Sequence, residues 1–385
     1  MSQIFHFPLQ PLQRFTSGGA AAIKMPKEIT HFSYDDRHEY RPDDSSMTYY
    51  YPPELGVDLS AGFKDFVKLD DTRDDHLEGL LRALMTVEEK EGKLRVVDFI
   101  TWRGMMTKIM TTPYDNFDGF EMNATRFQVC YSECFIEEDH AAKLARVREQ
   151  NANRRRPPPG APTPDVQSYW GYKFETLSVI PDIMDNVSRD YIETRPKMVV
   201  NNHAQYCSVV MTGFTPTSMI LGGEVDAIWD RRPDDPDQPI NWVELKTSQE
   251  IYNDGDRLRF ERKLCKFWAQ SFLLGVPKII VGYRTRDGLL KRLEELNTRT
   301  IPGMVKRKGN NSWDGNLCIN FAAAFLKFLK ETITSEGVWK IRRQQKSPVI
   351  EVFQTEAQGT GEILSKEFLE WRTQRYPQKI AQMLN

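Results

Sequence analysis

Apolar residues recur at helical spacing in several parts of the chain. In residues 74–85 they repeat every three or four positions behind an acidic first turn, which predicts an amphipathic helix. A further helix, through Met110, is predicted to follow residues 101–104. The same spacing predicts four more helices, in residues 140–156, 168–179, 256–274 and 316–332.

Short alternating or continuous apolar runs predict strands between these helices. They lie in residues 96–100, 198–212, 278–283 and 349–353, with a strand pair in 124–136. Strands and helices mix without a regular strand–helix–strand repeat, and no internal sequence repeat is present. The pattern predicts an α+β (mixed α/β) fold, a single large domain in which twisted mixed β-sheets are flanked by helices.

Two segments modify this single domain, which we expect to span residues 1–385. Residues 1–26 contain Arg14 and Lys24 but no acid, which would suit a transit peptide. Their phenylalanine and leucine side chains favour an N-terminal arm docked on the domain. Residues 151–166 are rich in proline, which neither continues a helix nor joins a sheet, so an exposed loop inserted in the domain is expected there.

Composition limits the function classes. Of the 385 residues, 40% are hydrophobic and 28% are charged, as in soluble globular proteins. No apolar run reaches the ~20 residues that cross a bilayer, so no membrane partner is expected. A formal net charge of −2 argues against coating nucleic acid by charge alone, but an enzyme needs only a local basic patch. The five scattered cysteines predict reduced thiols in a cytosolic or nuclear setting.

Two short acidic segments, residues 223–227 (GEVDA) and 243–247 (VELKT), each follow apolar residues that predict a strand. Side chains two residues apart in a strand project from the same face. We therefore expect Glu224 and Asp226 to share one face, and Glu244 and Lys246 to share one face. The intervening stretch is long enough for one loop and a return strand. If the two strands pair, three carboxylates and one ammonium meet in a small patch.

Carboxylates this close repel one another unless a cation neutralises them, and hard oxygen ligands suit Mg²⁺ or Mn²⁺. An acid, a spacer and then Glu-x-Lys resemble the PD-(D/E)xK nuclease superfamily. The sequence contains no phosphate-binding Gly-x-x-x-x-Gly-Lys loop, no dinucleotide-binding Gly-x-Gly-x-x-Gly turn and no Gly-x-Ser-x-Gly elbow, so the corresponding enzyme classes lose their usual support.

Four further residues have both a functional and an ordinary interpretation. Glu175, in a predicted helix, would alone be a surface glutamate. Arg103 directly follows a strand, where it could grip a phosphate or form a structural salt bridge. Gln270 lies on a long helix and could simply face solvent. Cys207 is most simply a buried small hydrophobic residue.

Taken in order, these segments resemble the DXO family of RNA decapping enzymes. The resemblance runs from about residue 32 to about residue 330, and the short N-terminal region is similar to the fungal branch, whose members partner the nuclear 5′→3′ exoribonuclease. The matching segments are residues 102–108, 111–114, 171–175, 223–226, 243–248, 268–272 and 318–325.

The resemblance implies a role for each site residue. The implied direct metal ligands are Glu175, Asp226, Glu244 and the Leu245 carbonyl oxygen. Glu224 would bind the cation through water or contact a second ion, and Lys246 would orient the attacking water or neutralise charge on the phosphate. The catalytic set is thus Glu224, Asp226, Glu244 and Lys246. The implied substrate-binding set is Trp102, Arg103, Gly104, Cys207, Glu224, Lys246 and Gln270, with Arg103 and Gln270 holding the RNA backbone.

The implied activity is that of a nuclear, Mg²⁺- or Mn²⁺-dependent hydrolase of RNA 5′ ends. It would remove pyrophosphate from 5′-triphosphate RNA, incompletely methylated caps and NAD caps, and would activate an exoribonuclease partner in RNA quality control and rRNA processing. Two alternatives remain. A PD-(D/E)xK DNA endonuclease is permitted by the core motif alone. A non-catalytic exoribonuclease activator would be indicated by a missing acidic ligand, but every acidic position is present.

Overall fold

The computed structural model describes residues 3–16, 19–127, 133–153, 158, 160–235 and 237–375. Its helices within these ranges are α1 (Glu78–Glu91), α2 (Arg103–Thr111), α3 (His140–Ala152), α4 (Pro164–Leu177), α5 (Arg189–Thr194), α6 (Asp254–Leu274), α7 (Ile301–Lys308), α8 (Gly315–Thr332) and α9 (Lys366–Arg375).

The strands of the same ranges form two mixed sheets. In chain order they are β1 (Ile4–Pro8), β2 (Ile23–Tyr34), β3 (Tyr40–Arg41), β4 (Tyr49–Tyr50), β5 (Phe99–Trp102), β6 (Phe120–Phe127), β7 (Glu133–Glu138), β8 (Val179–Ile180), β9 (Gln205–Phe214), β10 (Thr217–Glu224), β11 (Ala227–Ile228), β12 (Trp242–Gln249), β13 (Lys278–Arg284), β14 (Leu290–Asn297), β15 (Val338–Arg343) and β16 (Val349–Glu356).

The larger sheet has the order β1-β16-β15-β6-β7-β5-β10-β9-β2-β3, and the smaller has β14-β13-β12-β11-β4-β8. Strand β5 runs parallel to both of its neighbours, and β12 runs parallel to β13, whereas most other pairs are antiparallel. The predicted α+β fold of mixed sheets flanked by helices is therefore confirmed.

One apolar core connects the two sheets. It contains Leu221 of the larger sheet, Val281 of the smaller sheet and side chains of α2, α6 and α8, such as Met106, Trp268 and Phe325. Because the sheets share this core, the chain can pass directly from one sheet to the other. It does so between β10 and β11, where only two residues separate the strands.

Several predicted boundaries were wrong by a few residues. Helix α1 begins at Glu78 rather than at residue 74, because His76 lies at a φ of 46° outside the helical region. It ends at Glu91, and Gly92, with a φ of 66°, caps it. Helix α4 begins at Pro164, inside the predicted proline-rich loop, since proline is well accommodated in a first helical turn. Part of that loop and Cys130 lie outside the described residues.

The N-terminal residues are packed on the molecule. Strand β1 pairs with β16, and the rings of Phe7 and Phe15 pack against Phe321 of α8. The Asn320 side chain donates to the Phe15 carbonyl oxygen at 2.7 Å. The cysteines of the described residues are free and buried, at positions 134, 207, 265 and 318. No helix in the described part of the chain has the length and apolar character needed to span a membrane.

Candidate active site

Four carboxylates meet where the two sheets join. Strand β10 of the larger sheet ends at Glu224, and Asp226 lies in the connection to β11. Strand β12 carries Glu244, and helix α4, packed against β12, carries Glu175. All four line a cavity of about 620 Å³. The predicted convergence of the acids is therefore present, with the helical Glu175 added to the acids of the two strands.

The strand pairing behind this convergence differs from the prediction. The strand that ends in Glu224 pairs with β9 and β5 in the larger sheet and does not pair with β12. Within residues 217–228, only the short β11 pairs with β12, with Ala227 opposite Val243. Local alternation suggested one continuous strand through Asp226. Instead, the chain leaves the larger sheet after Glu224 and enters the smaller sheet at Ala227.

Asp226 is held by two hydrogen bonds, one to its side chain and one to its backbone carbonyl group. Its Oδ2 accepts a hydrogen bond from the Leu245 backbone N–H at 2.6 Å, and its carbonyl oxygen accepts one from Thr48 Oγ1 at 2.7 Å. These bonds hold the connection against β12. The Asp226 carboxylate therefore lies beside the Glu244–Leu245 backbone, where the predicted ligand set requires it.

Glu244 lies between two cationic side chains. Its Oε1 is 2.5 Å from Lys246 Nζ and its Oε2 is 3.3 Å from Arg103 Nη1, and its side chain is only 1% exposed. Burial alone would raise the pKa of Glu244, but the Lys246 and Arg103 charges outweigh burial and lower it. In the same way, Glu244 and Asp226 outweigh burial and raise the pKa of Lys246. Lys246 is therefore a stable ammonium near neutral pH.

The pKa values of the other three acids are raised. Burial, followed by repulsion from Glu244, raises the pKa of Asp226 to about 6. Burial, followed by repulsion from Asp226, raises the pKa of Glu224 to about 7. Burial and repulsion from Asp226 and Glu224 also raise the pKa of Glu175 well above its ordinary value. Such a set of close carboxylates is stabilised in its charged form by a cation.

The chemistry of the donor set fits a hard divalent cation, because every candidate side-chain ligand is a carboxylate. Within the described ranges, no three acidic, histidine or cysteine side chains are already arranged to hold a metal ion. Glu244 faces Lys246 and Arg103, and Asp226 faces the Leu245 N–H. Cation binding therefore requires some rotation of these side chains.

The predicted substrate-binding residues lie in different places. Arg103 and Gln270 line the same cavity as the acids. Trp102 lines a different cavity, and its indole N–H donates to the His76 carbonyl oxygen at 3.0 Å. Gly104 lines a neighbouring cavity, and Cys207 is buried in an apolar cluster. Substrate contact by Trp102, Gly104 and Cys207, like metal binding by the Leu245 carbonyl oxygen, stays a prediction.

Sequence reasoning missed several polar residues of the cavity wall. Tyr172, Asn202, Gln205 and Lys68 line it together with the acids. Residues 198–212 were predicted as one strand, but β9 begins only at Gln205. The polar run at 201–203 (NNH), which precedes the apolar part of β9, was the available signal that this stretch is a loop facing a site.

The comparison with known families agrees with this geometry. Residues 24–369 match the family model described as RAI1 like PD-(D/E)XK nuclease. The chain belongs to this nuclease family. The resemblance found in the sequence motifs is thereby confirmed, and the protein is a hydrolase of the nuclease class.

Relatives and solved structures extend the similarity over the whole fold. The chain is 55% identical over 367 residues to the Decapping nuclease RAI1 of Gibberella zeae, covering 95% of this chain and 96% of that protein. It superposes on Candida albicans Rai1 in complex with pU5-Mn²⁺ with a TM-score of 0.86, at 32% identity, covering 97% of this chain and 100% of the other.

A third similar protein is Scheffersomyces stipitis Rai1 in complex with (3′-NADP)⁺ and calcium ion. The TM-score is 0.83 at 29% identity, and the match covers 96% of this chain and 100% of that one. These two structures hold a divalent cation together with a nucleotide ligand.

Proposed function

We propose that this protein is a divalent-cation-dependent hydrolase of RNA 5′ ends. The observation that carries the proposal is the placement of Glu175, Glu224, Asp226 and Glu244 around one cavity, with Lys246 and Arg103 bound to Glu244. Relatives named decapping nucleases, and a similar structure that holds pU5 and Mn²⁺, support the same reaction class.

The four acids divide into two groups by the direction in which their pKa values are shifted. Glu175, Glu224 and Asp226 have raised pKa values and would hold Mg²⁺ or Mn²⁺ together with Glu244. When bound, the cation lowers the pKa of coordinated water and polarises a phosphoryl oxygen. Glu244 also holds the Lys246 and Arg103 side chains beside the proposed cation site.

Lys246 and Arg103 supply positive charge where the phosphate reacts. The Lys246 ammonium is held by Glu244, cannot act as a base near neutral pH, and stabilises negative charge that develops on the phosphate. The Arg103 guanidinium has further N–H donors beyond the one that contacts Glu244, and these can bind a phosphate oxygen. Gln270, on the same cavity wall, adds a neutral donor for the RNA backbone.

The substrates we propose are 5′-triphosphate RNA, incompletely methylated caps and NAD caps. A wide cavity that binds phosphates more than bases can accept several 5′ ends. The purified protein should hydrolyse RNAs with these ends in the presence of Mg²⁺ or Mn²⁺, and should leave DNA of the same sequence and 5′ end intact. Equal hydrolysis of the DNA would instead support the PD-(D/E)xK DNA endonuclease alternative.

We further propose a nuclear location and a complex with a nuclear 5′→3′ exoribonuclease. The support is the resemblance to the fungal branch together with a chemical argument. An exonuclease that needs a 5′-monophosphate uses the end that pyrophosphate removal creates, and tethering raises the local concentration of that end. The two proteins should elute together in size-exclusion chromatography at micromolar concentration and physiological salt. Separate elution, with unchanged thermal stability of the exonuclease, would contradict the complex.

A further inference from the structure

Two buried cationic side chains near the cavity of the four acids have no acidic partner. Lys173 of α4 is 2% exposed, and Arg195 is 4% exposed. Among the described residues neither forms an ion pair, and both donate hydrogen bonds to backbone carbonyl oxygens. Burying a charge without a counter-charge is costly, and an apolar side chain of similar volume would avoid that cost. Packing alone therefore does not account for them.

The hydrogen bonds of both cations hold one irregular segment, residues 195–202, which we call the wall segment. Residues 198–202 line the cavity of the four acids. Lys173 Nζ donates to the Pro196 carbonyl oxygen at 2.9 Å and to the Met198 carbonyl oxygen at 3.4 Å. Lys173 therefore fixes the backbone at the point where the wall segment reaches the cavity.

The two ends of the wall segment are held separately. At its start, Arg195 Nη1 lies 3.5 Å from the carbonyl oxygens of Tyr51 and Val179. At its end, the Asn202 side chain accepts a hydrogen bond from the Leu69 backbone N–H at 2.7 Å. Lys173 supplies the hydrogen bonds between these two ends.

The wall segment depends on such polar contacts because it has little apolar packing. Val200 is its one buried apolar side chain, and Val199 is 56% exposed. Its regular structure is a single 3-10 turn at 195–197 and one isolated β-bridge. Helix α4, in contrast, packs Trp170 and Phe174 into an apolar cluster. Loss of the Lys173 ammonium should therefore release the wall segment and leave α4 in place.

Lys173 also connects the wall segment to the helix that carries an acid of the site. Tyr172, Glu175 and Thr176 lie three or four residues apart on α4 and line the cavity. Lys173 projects from another side of the helix, toward the wall segment. Its four-carbon stem and its three N–H donors suit a contact with two carbonyl oxygens. This contact sets the spacing between Glu175 and the wall segment.

We propose that Lys173 is a positioning residue, which holds the wall segment at the distance from Glu175 at which the cavity closes around the 5′ nucleotide of the RNA. The inference rests on the proposed function. Lys173 contacts neither the RNA nor the cation in this scheme, and it acts through the backbone of the wall segment. Its loss should therefore weaken RNA binding without weakening cation binding.

The test uses the full-length protein and its Lys173→Met variant, which keeps an unbranched apolar stem and loses the ammonium. We expect the KM for 5′-triphosphate RNA to rise about tenfold, with kcat within about twofold of the wild type. Mn²⁺ affinity, measured by isothermal titration without RNA, should change by less than about twofold. Hydrogen exchange should be at least about tenfold faster for the backbone amides of residues 198–202 and unchanged for those of α4.

Two further variants separate positioning from charge and from general stability. Lys197→Met removes the same charge from an exposed position in the same segment and should keep the wild-type KM. Lys173→Gln keeps N–H donors without the charge, so its KM should rise only about threefold. If Lys173→Met does not fold, this smaller rise in Lys173→Gln decides the question.

Three results would overturn the assignment. They are a wild-type KM in the Lys173 variants, an equal rise in KM for Lys197→Met, and a loss of Mn²⁺ affinity as large as the rise in KM. If the wild type hydrolyses no RNA, the proposed function fails by itself. Hydrogen exchange of residues 198–202 then still decides whether Lys173 holds the wall segment.

Discussion

Lys246 Nζ lies 2.5 Å from Glu244 Oε1, and this buried pair divides the site into a charge-stabilising part and a cation-binding part. Lys246→Met removes the ammonium that would stabilise negative charge on the phosphate, but it removes no metal ligand. We expect kcat to fall by about 10²–10³-fold, the usual effect of losing one electrostatic donor. Mn²⁺ affinity, measured by isothermal titration, should stay close to that of the wild type.

Two further variants make this result interpretable. Lys327→Met changes an exposed lysine of α8 and should have wild-type turnover. Glu244→Gln should weaken Mn²⁺ binding. If Lys246→Met weakens Mn²⁺ binding as strongly as Glu244→Gln does, the division of roles between the two residues is wrong.

Arg103 is the proposed phosphate contact. Arg103→Lys keeps the charge but loses the planar fork that binds two phosphate oxygens at once. We expect the KM for RNA to rise about tenfold, with a smaller change in kcat, because a charge-assisted hydrogen bond is weakened. The salt dependence of RNA binding should change little for Arg103→Lys and should become shallower for Arg103→Ala. A wild-type KM in both variants would show that Arg103 only supports Glu244.

The sequence predicted which side chains meet in the cavity better than it predicted how their strands pair. Glu224, Asp226, Glu244 and Lys246 were identifiable because acids and a lysine stand directly after apolar strands. Their strand pairing was not, because pairing depends on contacts distant in sequence. Nothing in residues 219–227 indicates that the chain changes sheets between Glu224 and Ala227.

Neighbours in sequence were also assigned to the site too readily. Arg103 lines the cavity of the four acids, but the adjacent Trp102 and Gly104 line other cavities, because consecutive residues at the start of a helix point in different directions. Conversely, Lys68 and Asn202, which line the cavity of the four acids, lie in loops. Loop residues carry no periodic pattern, so sequence reasoning could not bring them together.

Helix α9 is attached to the rest of the fold through a buried cluster of one arginine and two glutamates. Arg372 Nη2 lies 2.7 Å from Glu88 Oε1, and Arg372 Nη1 lies 3.0 Å from Glu133 Oε2; all three side chains are 0% exposed. Two carboxylates thus share one guanidinium. Burial is the main cause that raises the pKa of Glu88 from 4.5 to about 7, despite the opposing Arg372 charge.

This pKa predicts a pH-dependent stability. Because the folded protein binds a proton on Glu88 more tightly than the unfolded chain does, the free energy of unfolding falls as the pH rises from about 4.5 through about 7. Glu88→Gln removes this loss. We expect the stability advantage of Glu88→Gln over the wild type to grow by on the order of 3 kcal/mol between about pH 5 and pH 8.

Urea unfolding of both proteins across this pH range measures the difference. Glu89→Gln, an exposed position on the same helix, is the control and should follow the wild type at every pH. Parallel stability curves for wild type and Glu88→Gln would show that Glu88 is charged in the folded protein at all these pH values.

The most direct test of the account is the Mn²⁺-dependent hydrolysis of 5′-triphosphate RNA by the Asp226→Asn variant. The asparagine oxygen can still accept the Leu245 N–H bond, so the fold and the connection to β12 should persist, while the charged ligand is lost. We expect turnover to fall by at least about 10³-fold, with unchanged or higher thermal stability because carboxylate repulsion is relieved. Turnover within about tenfold of the wild type at saturating Mn²⁺ would contradict the proposal that these acids form a cation-dependent hydrolytic site.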